Sequence, residues 1–225
     1  MIFMRKKSLI AIAIILGILI LDQVLKIWIK TNFTLGQELN IIGDKIKLHF
    51  VENEGMAFGM TFGGSWGKLF LSLFRVAAIS LLIYYLCKII KAGENLFYII
   101  CISLIIAGAT GNLIDSAFYG LIFNESTYYQ AATMFPPEGG YAPFLHGKVV
   151  DMFYCPIIET TYPTWFPFVG GKEFLFFRPV FNVADSAITV SVFLLLIFYK
   201  RIFGESILES LKLKKKSSKS ETSEQ

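Results

Sequence analysis

Four long apolar segments constrain this chain more than any other feature of its sequence. They cover about residues 8–29, 68–89, 96–114 and 181–199, and each is close to the ~20 residues with which a helix crosses about 30 Å of hydrocarbon. Of all 225 residues, 55% are hydrophobic and only 17% are charged, whereas about 25% are charged in an ordinary soluble domain. The sequence therefore predicts an all-α membrane protein with four transmembrane helices. It excludes a disordered or collagen-like chain and disfavours a soluble α/β enzyme.

Basic residues predict the direction of these helices. Twelve Lys and Arg residues lie in residues 1–7, 88–94 and 200–225, and five lie in the two long connections, 31–67 and 116–180. Because Lys and Arg near the ends of spans favour the cytoplasmic side, both termini are predicted to be cytoplasmic and the long connections to face outward. The first apolar run resembles a secretory signal peptide. No small-x-small cleavage site follows it, so a retained signal anchor is predicted.

The two outer connections differ in character. In the first, Leu39–Ile42 and the alternating run Lys45–Phe50 flank a Gly-Asp pair, which predicts a small β hairpin over about 39–52. The second, 116–180, is rich in Pro, Gly and aromatic residues and is long for a plain loop, which predicts an interfacial lid or a short surface helix. Residues 1–210 are thus expected to form one membrane domain, and the polar residues 211–225 a disordered tail.

Polar residues recur at the predicted outer ends of three apolar segments. Ionisable groups inside membrane spans are costly and need a partner or a function. At 1.5 Å per residue, Asp22 lies about 21 Å beyond Ser8, and Asp185 lies about 6 Å from the start of its helix. Asp151, which stands among apolar residues of the second outer connection, could reach the same level. The spaced pairs that share a helix face are Asp22 and Lys26, Asn112 and Asp115, and Asn182 and Asp185.

Each of these groups has a structural and a functional interpretation. The first pair is best explained as an ion pair that fixes helix orientation, and the second pair leaves both interpretations open. Asp151 and Asp185 favour function, because Lys148 and Arg178 are the only cationic candidates nearby. Ser126 lacks a recognisable serine-nucleophile setting.

Two close carboxyl groups in a partly dry site suit one kind of chemistry. They cannot both ionise cheaply, so they share a proton, and one acts as base while the other acts as acid. Such a pair can take a proton from a water molecule that attacks an amide carbonyl, and can then protonate the leaving nitrogen. The sequence therefore favours a hydrolase that needs no cofactor and no metal ion.

Five short motifs occur in order along the chain. They are Asp22-Gln23 with Lys26, Asn53-Glu54-Gly55-Met56-Ala57-Phe58-Gly59, Gly111-Asn112-Leu113-Ile114-Asp115, Val149-Val150-Asp151-Met152-Phe153 and Phe181-Asn182-Val183-Ala184-Asp185-Ser186-Ala187-Ile188. One such motif alone would be weak evidence for a family. All five, on a frame of four spans, resemble the lipoprotein signal peptidases (signal peptidase II), which are aspartic proteases of the bacterial inner membrane.

The resemblance implies that Asp151 and Asp185 form a catalytic pair. It implies a diacylglyceryl-modified prolipoprotein substrate, cut just before its lipidated cysteine, and inhibition by globomycin-type antibiotics that occupy the same site. The chain is expected to be a monomer in contact with membrane lipid, with no nucleic-acid partner and with its site facing the periplasm or exterior. The residues implied to line the site or hold the substrate are Asp22, Lys26, Asn53, Gly55, Asn112, Asp115, Asn182 and Ala184.

The chain departs from the family's usual pattern at three points. The family usually has Arg after the Asp of the third motif, whereas this chain has Ser116. A site cation is therefore missing or supplied from elsewhere, with Arg178 and Lys148 as candidates. The stretches on either side of Asp151 are longer than usual, so the lid and the affinity for inhibitors are expected to differ. Met56 stands where a smaller residue is common, which would narrow the substrate groove.

Two other classes of function also fit intramembrane carboxylates. A small proton-coupled transporter would need polar groups across the whole depth of the membrane. The inner halves of the predicted spans contain almost no polar residues, and Arg75 is interpreted as the exception. A non-catalytic assembly factor would use the outer loops as its binding surface. Cleavage of a diacylated lipobox peptide would separate a protease from both.

Overall fold

The fold consists of long helices with a small antiparallel sheet at one end of the bundle, hereafter the sheet end. The computed structural model describes residues 2–54, 64–156, 158–161, 163–167, 171, 173–176 and 179–198. The helices are α1 (Ile2–Asn32), α2 (Gly64–Lys91), α3 (Leu96–Ile114), α4 (Gly120–Ile122) and α5 (Val183–Ile197). The strands are β1 (Glu38–Ile42), β2 (Ile46–Asn53), β3 (Val149–Tyr154), β4 (Ile158–Thr161), β5 (Glu173–Phe176) and β6 (Val180–Phe181).

Three helical stretches of the described chain are long and apolar enough to cross a membrane. They are Phe3–Asn32, Trp66–Lys91 and Leu96–Ile122, and they support the predicted multi-span membrane protein. The described part of α5 is a shorter apolar helix of 15 residues, so the fourth span stays a prediction. Both α1 and α2 are longer than the predicted segments 8–29 and 68–89. The predicted tail, 211–225, lies outside the described residues.

α3 is the central helix of the bundle. It contacts α1, α2 and α5, and Asn95 caps its N-terminus by accepting a hydrogen bond from the Phe97 N–H at 2.8 Å. Lys7 ties α1 to the turn between α2 and α3, because its Nζ donates to the carbonyls of Gly93 and Glu94. The apolar core between these helices comprises Ala11, Leu86, Ile89, Ile90, Tyr98, Ile99, Ile102 and Ile106.

Two glycines let α3 approach its neighbours closely. A Cβ at Gly108 would collide with the Ala184 carbonyl oxygen and lie 2.7 Å from Ile188 Cγ1, both on α5. A Cβ at Gly111 would lie 2.7 Å from Asp22 Oδ2 on α1. Small residues permit this kind of close backbone approach between membrane helices. As a result, the end of α3 lies directly beside the start of α5.

The predicted hairpin is present, and it belongs to a larger sheet. β1 and β2 pair antiparallel, and the four-stranded sheet has the order β1-β2-β3-β6. β3 lies in the connection 116–180, for which the sequence predicts a lid or a surface helix, and β6 comprises the last residue of that connection and Phe181. β3 is almost fully buried. Its sequence therefore lacks the alternation of apolar and polar residues that identifies a half-exposed strand, and the strand was not predicted. β4 and β5 form a separate two-stranded sheet.

The long connection also begins as a helix. α3 is followed without a break by a π-helical turn, Asp115–Tyr119, and then by α4, so the helix predicted to end at residue 114 continues to Ile122. π-helical turns are rare and often occur at functional sites. Beside this turn, a second core forms at the sheet end from Ile29, Phe33, Phe50, Tyr119, Phe123, Ala132, Val150 and Met152.

The close contact at Gly108 predicts a specific cost for a methyl group. We expect Gly108→Ala to destabilise the protein by about 1–3 kcal/mol, because overpacking must push α3 away from α5. In detergent, this change should lower the midpoint of thermal unfolding by several degrees. The matched control is Gly17→Ala on α1, where a Cβ would meet nothing within 4 Å. Equal effects of the two substitutions would contradict the packing described here.

Candidate active site

The polar residues of the fold gather at the sheet end of the bundle. They come from α1, β2, the end of α3, the π turn, β3 and the start of α5. Buried charges must be paired or hydrogen-bonded, so the contacts of these side chains define the site. Its buried members are Asp22, Lys26, Asn112, Asp115, Asp151 and Asn182.

Lys26 is the fully buried cation of this cluster. Its Nζ lies 2.9 Å from Asp22 Oδ2, 2.8 Å from Asp115 Oδ2 and 2.9 Å from Asn112 Oδ1. An ammonium group has three N–H donors, and here each has an acceptor. The Asp22–Lys26 pair therefore orients α1, as the sequence favours, and also joins α1 to α3 and the π turn.

Asp22 joins α1 to α5 as well. Its Oδ1 accepts a hydrogen bond from the Ala184 N–H at 2.9 Å, one of the N–H groups that have no partner within the first turn of a helix. The neighbouring Gln23, which sequence reasoning did not place in the site, donates to Asp115 Oδ1 at 2.9 Å and accepts from the Tyr119 hydroxyl at 3.1 Å. The sequence signal that could have identified Gln23 was its position beside Asp22 in the first motif.

Asn182 begins α5 and fixes the orientation of Asp185. The Asn182 side chain accepts a hydrogen bond from the Asp185 N–H at 2.9 Å, and the Asp185 carboxylate accepts one from the Asn182 N–H at 3.4 Å. This reciprocal arrangement is a capping box, which satisfies two unpaired donors at a helix N-terminus. Asp185 Oδ1 also accepts a hydrogen bond from Asn112 Nδ2 at 2.8 Å.

Asp151 reaches the same cluster from β3. Its Oδ1 accepts a hydrogen bond from Asn182 Nδ2 at 2.8 Å, and its Oδ2 accepts one from Asn53 Nδ2 at 3.2 Å. Asn182 thus contacts both aspartates and links Asp151 and Asp185 in one hydrogen-bonded group. Asp151 is only 3% exposed, whereas Asp185 is partly exposed. Solvent therefore reaches the group on the side of Asp185.

The environment of Asp151 favours its protonated form. Burial, followed by the charge of Asp185, raises the pKa of Asp151 to about 7, although the hydrogen bonds from Asn53 and Asn182 and the charge of Lys26 act in the opposite direction. Asp151 therefore keeps its proton up to about neutral pH, beside a second carboxyl group. Such a pair can accept a proton from water and donate one to a leaving group.

The structure brings together most of the residues that the sequence predicts for the site. Asp22, Lys26, Asn53, Asn112, Asp115, Asp151, Asn182 and Asp185 are linked by side-chain contacts, and Ala184 contributes its N–H. Gly55, Met56 and Arg178 lie outside the described residues. In the part of the chain that the structure describes, no group of three or more His, Cys, Asp or Glu side chains could hold a metal ion.

The cation beside the third motif differs from the candidates that the sequence offers. Lys148 pairs with Glu125 at 3.1 Å and lies 3.9 Å from Glu52. Arg75, interpreted from the sequence as an isolated polar residue of the inner half, instead reaches the site, where its Nη1 donates to Ser116 Oγ at 3.1 Å. That interpretation is wrong because the predicted segment 68–89 begins at the outer connection 31–67, so Arg75, about 10 Å along the helix from residue 68, belongs to the predicted outer half.

A second buried cation lies near the sheet. Lys30 is fully buried, forms an ion pair with Glu52 and donates to Ser126 Oγ at 2.8 Å. Ser126 thus does lie beside a lysine, contrary to the sequence-based interpretation. Its hydroxyl donates to Glu52 Oε1 at 2.8 Å, so the group ties α1 to β2 and does not present an activated hydroxyl. Long separation along the chain concealed this cluster in the sequence.

The raised pKa of Asp151 predicts a pH-dependent stability. Between about pH 4 and pH 7 the folded protein holds a proton on Asp151 that the unfolded chain releases, so this carboxyl lowers stability as the pH rises through that window. We expect Asp151→Asn to raise the free energy of unfolding at pH 8 by about 2.5 kcal/mol more than at pH 5, and the unfolding temperature with it. Asp44→Asn, at the exposed hairpin turn, is the control. A stability difference that does not vary with pH would contradict the prediction.

Comparison with known proteins agrees with this geometry. The family model described as signal peptidase (SPase) II matches residues 14–201. The lipoprotein signal peptidase of Porphyromonas gingivalis is 52% identical over 190 residues, which cover 84% of this chain and 82% of that protein. The lipoprotein signal peptidase of Amoebophilus asiaticus is 34% identical over 181 residues, which cover 79% of this chain and 72% of that protein.

Solved structures of bacterial membrane enzymes, obtained by the in meso method, share the fold. One, at 2.3 Å resolution, has a TM-score of 0.56 and 25% sequence identity, and the match covers 85% of this chain and 87% of that chain. Another, at 1.9 Å resolution, has a TM-score of 0.54 and 27% identity, with coverage of 83% and 90%. Because the family model covers most of the sequence and includes all five motifs, the chain belongs to the signal peptidase II family.

Proposed function

We propose that this protein is an aspartic endopeptidase that removes the signal peptide from diacylglyceryl-modified prolipoproteins. It cuts just before the lipidated cysteine and uses Asp151 and Asp185 to activate water. The observation that carries this proposal is the position of Asn182, which donates to Asp151 at 2.8 Å and forms the capping box with Asp185. Membership of the signal peptidase II family supports the same substrate class.

The reaction follows from the sharing of one proton between two carboxyl groups. Asp185, which is partly exposed, accepts a proton from a water molecule as the water oxygen forms a bond to the scissile carbonyl carbon. Asp151, protonated at neutral pH because it is buried, donates a hydrogen bond to the carbonyl oxygen as negative charge develops there. The proton taken by Asp185 then passes to the leaving nitrogen as the C–N bond breaks.

The neighbouring residues hold the two carboxyl groups in place. Asn53, Asn112 and Asn182 donate to the aspartates, and the Lys26 cluster fixes the helices from which two of these asparagines project. Catalysis by such a pair depends on orientation, because water and carbonyl must meet both groups at once. Gly55 is proposed to lie against the substrate backbone, where the absence of a side chain permits close approach.

We further propose a bacterial inner-membrane enzyme with four spans, both termini in the cytoplasm and the sheet end facing outward. The distribution of Lys and Arg supports this direction. A lipid-anchored substrate holds its scissile bond at the boundary between hydrocarbon and water, and hydrolysis needs water at that depth. The enzyme is proposed to act as a monomer, in contact with lipid, and to bind globomycin-type inhibitors at the Asp151–Asp185 site.

Conservative amide substitutions test the proposal directly. We expect Asp151→Asn and Asp185→Asn each to abolish cleavage of a diacylated prolipoprotein in a gel-shift assay, because an amide can neither accept nor share the proton. Both variants should remain folded in detergent, as judged by their elution and their thermal unfolding. Asp44→Asn should cleave at the wild-type rate, since Asp44 lies at the exposed hairpin turn, where its carboxylate accepts a hydrogen bond from Asn40. Cleavage by either of the first two variants would remove the assignment of the catalytic pair.

A chelator distinguishes this chemistry from metal-assisted hydrolysis. We expect EDTA to leave the rate unchanged, because the two carboxyl groups activate water without a cation. Inhibition by EDTA that added metal reverses would contradict the proposed mechanism. A wild-type protein that leaves the lipidated precursor intact would instead favour a transporter or an assembly factor.

A further inference from the structure

The third motif lacks a cation in the sequence, and a neighbouring helix supplies one in the structure. The signal peptidase II pattern usually places Arg directly after the Asp of that motif, where this chain has Ser116. Ser116 is 2% exposed, and its hydroxyl accepts a hydrogen bond from Arg75 Nη1 of α2 at 3.1 Å. The guanidinium group therefore lies at the position where the side chain of residue 116 begins.

The surrounding contacts hold α2 against this part of the site. Ser116 donates to the Asn112 carbonyl at 3.0 Å, and its own carbonyl accepts a hydrogen bond from the Gly147 N–H at 2.8 Å. Ser72, three residues before Arg75, donates to the Leu145 carbonyl at 2.9 Å. The face of α2 that carries Arg75 thus packs against both the π turn and the segment that covers it.

The charges at the site explain why a second cation is needed. Lys26 already uses its three donors on Asp22, Asp115 and Asn112. Arg75 interacts electrostatically with Asp185, and also with Asp115 and Asp151. Among the described residues, the charged groups that interact with members of the catalytic pair include Lys26 on α1 and Arg75 on α2, and Asp115 in the π turn also acts on both cations.

We propose that Arg75 is a positioning residue of the reaction, which replaces from α2 the positive charge that the family usually carries after the third-motif aspartate and keeps one carboxyl of the Asp151–Asp185 pair ionised. This inference rests on the proposed function. Arg75 acts through the carboxyl groups and is not assigned a contact with the substrate. A cation favours the ionised form of a neighbouring carboxyl group, so its removal makes the pair hold its second proton to higher pH.

The test measures kcat/KM against pH for cleavage of a diacylated prolipoprotein. We expect Arg75→Gln to move the acid limb of the profile upward by about one pH unit, with about a tenfold loss on that limb and partial recovery at alkaline pH. Arg75→Lys, which keeps the charge, should retain most of the wild-type profile. Lys88→Gln, which removes an exposed charge from the last turn of the same helix, should leave the profile unchanged.

If Arg75 replaces the family's usual cation, a positive charge at position 116 should serve in place of the one at position 75. We expect the double variant Arg75→Ser/Ser116→Arg to restore the acid limb that Arg75→Gln displaces, since removal of the long side chain at 75 leaves room for one at 116. A wild-type acid limb in Arg75→Gln, or no rescue by the double variant, would overturn the inference while wild-type cleavage still stood. Loss of cleavage in the wild type would instead contradict the proposed function.

A second measurement does not depend on cleavage. The pH at which the stability gain from Asp151→Asn levels off reports the titration of Asp151 in the folded protein, and we expect that pH to rise when the comparison is repeated in an Arg75→Gln background. If Arg75→Gln does not fold, Arg75→Met, which also removes the charge but keeps an unbranched side chain, provides the same comparison. An Asp151 titration that is insensitive to the charge at position 75 would overturn the inference whatever the enzyme cleaves.

Discussion

The buried ammonium group of Lys26 is the interaction on which the rest of the site depends. A lysine buried in a membrane helix is costly unless it is paired, so its position demands partners. Those partners come from α1, α3 and the π turn at distances of 2.8–2.9 Å. Asp22, held by Lys26, then binds the first turn of α5. One cation therefore fixes the relative positions of three helices.

Among the described residues, asparagine side chains donate hydrogen bonds to the two central aspartates. Asn53 and Asn182 donate to Asp151, and Asn112 donates to Asp185. A neutral amide orients a carboxylate but does not neutralise it, whereas a cation at the same distance would drive both groups to ionise. The amides thus hold the geometry while burial keeps a proton on the pair. Cations remain at the periphery, where they adjust this balance without abolishing it.

The sequence is informative about this site wherever helical spacing carries the signal. Asn112 with Asp115, and Asn182 with Asp185, share helix faces at three-residue spacing, and their predicted depth agrees with their meeting in the structure. β3 could not be predicted in this way, because Asp151 becomes paired with β2 through contacts about a hundred residues distant along the chain. Arg75 was misplaced for a simpler reason: it lies seven residues from the end of segment 68–89 that adjoins the first outer connection, yet it was assigned to the opposite half.

The pairing of β2 with β3 has a further consequence for how the site is assembled. Asp151 belongs to the sheet and Asp185 to the bundle, so the two meet only when the sheet docks on the helices. The buried Lys30–Glu52–Ser126 group performs that docking, because Lys30 belongs to α1 while Glu52 lies on β2, next to Asn53. Asn53 then reaches Asp151. In the proposed reaction, the same docking brings Asp151 of the sheet to Asp185 at the start of α5, at the proposed boundary between hydrocarbon and water. A substrate anchored by acyl chains and attacked by water requires that boundary position.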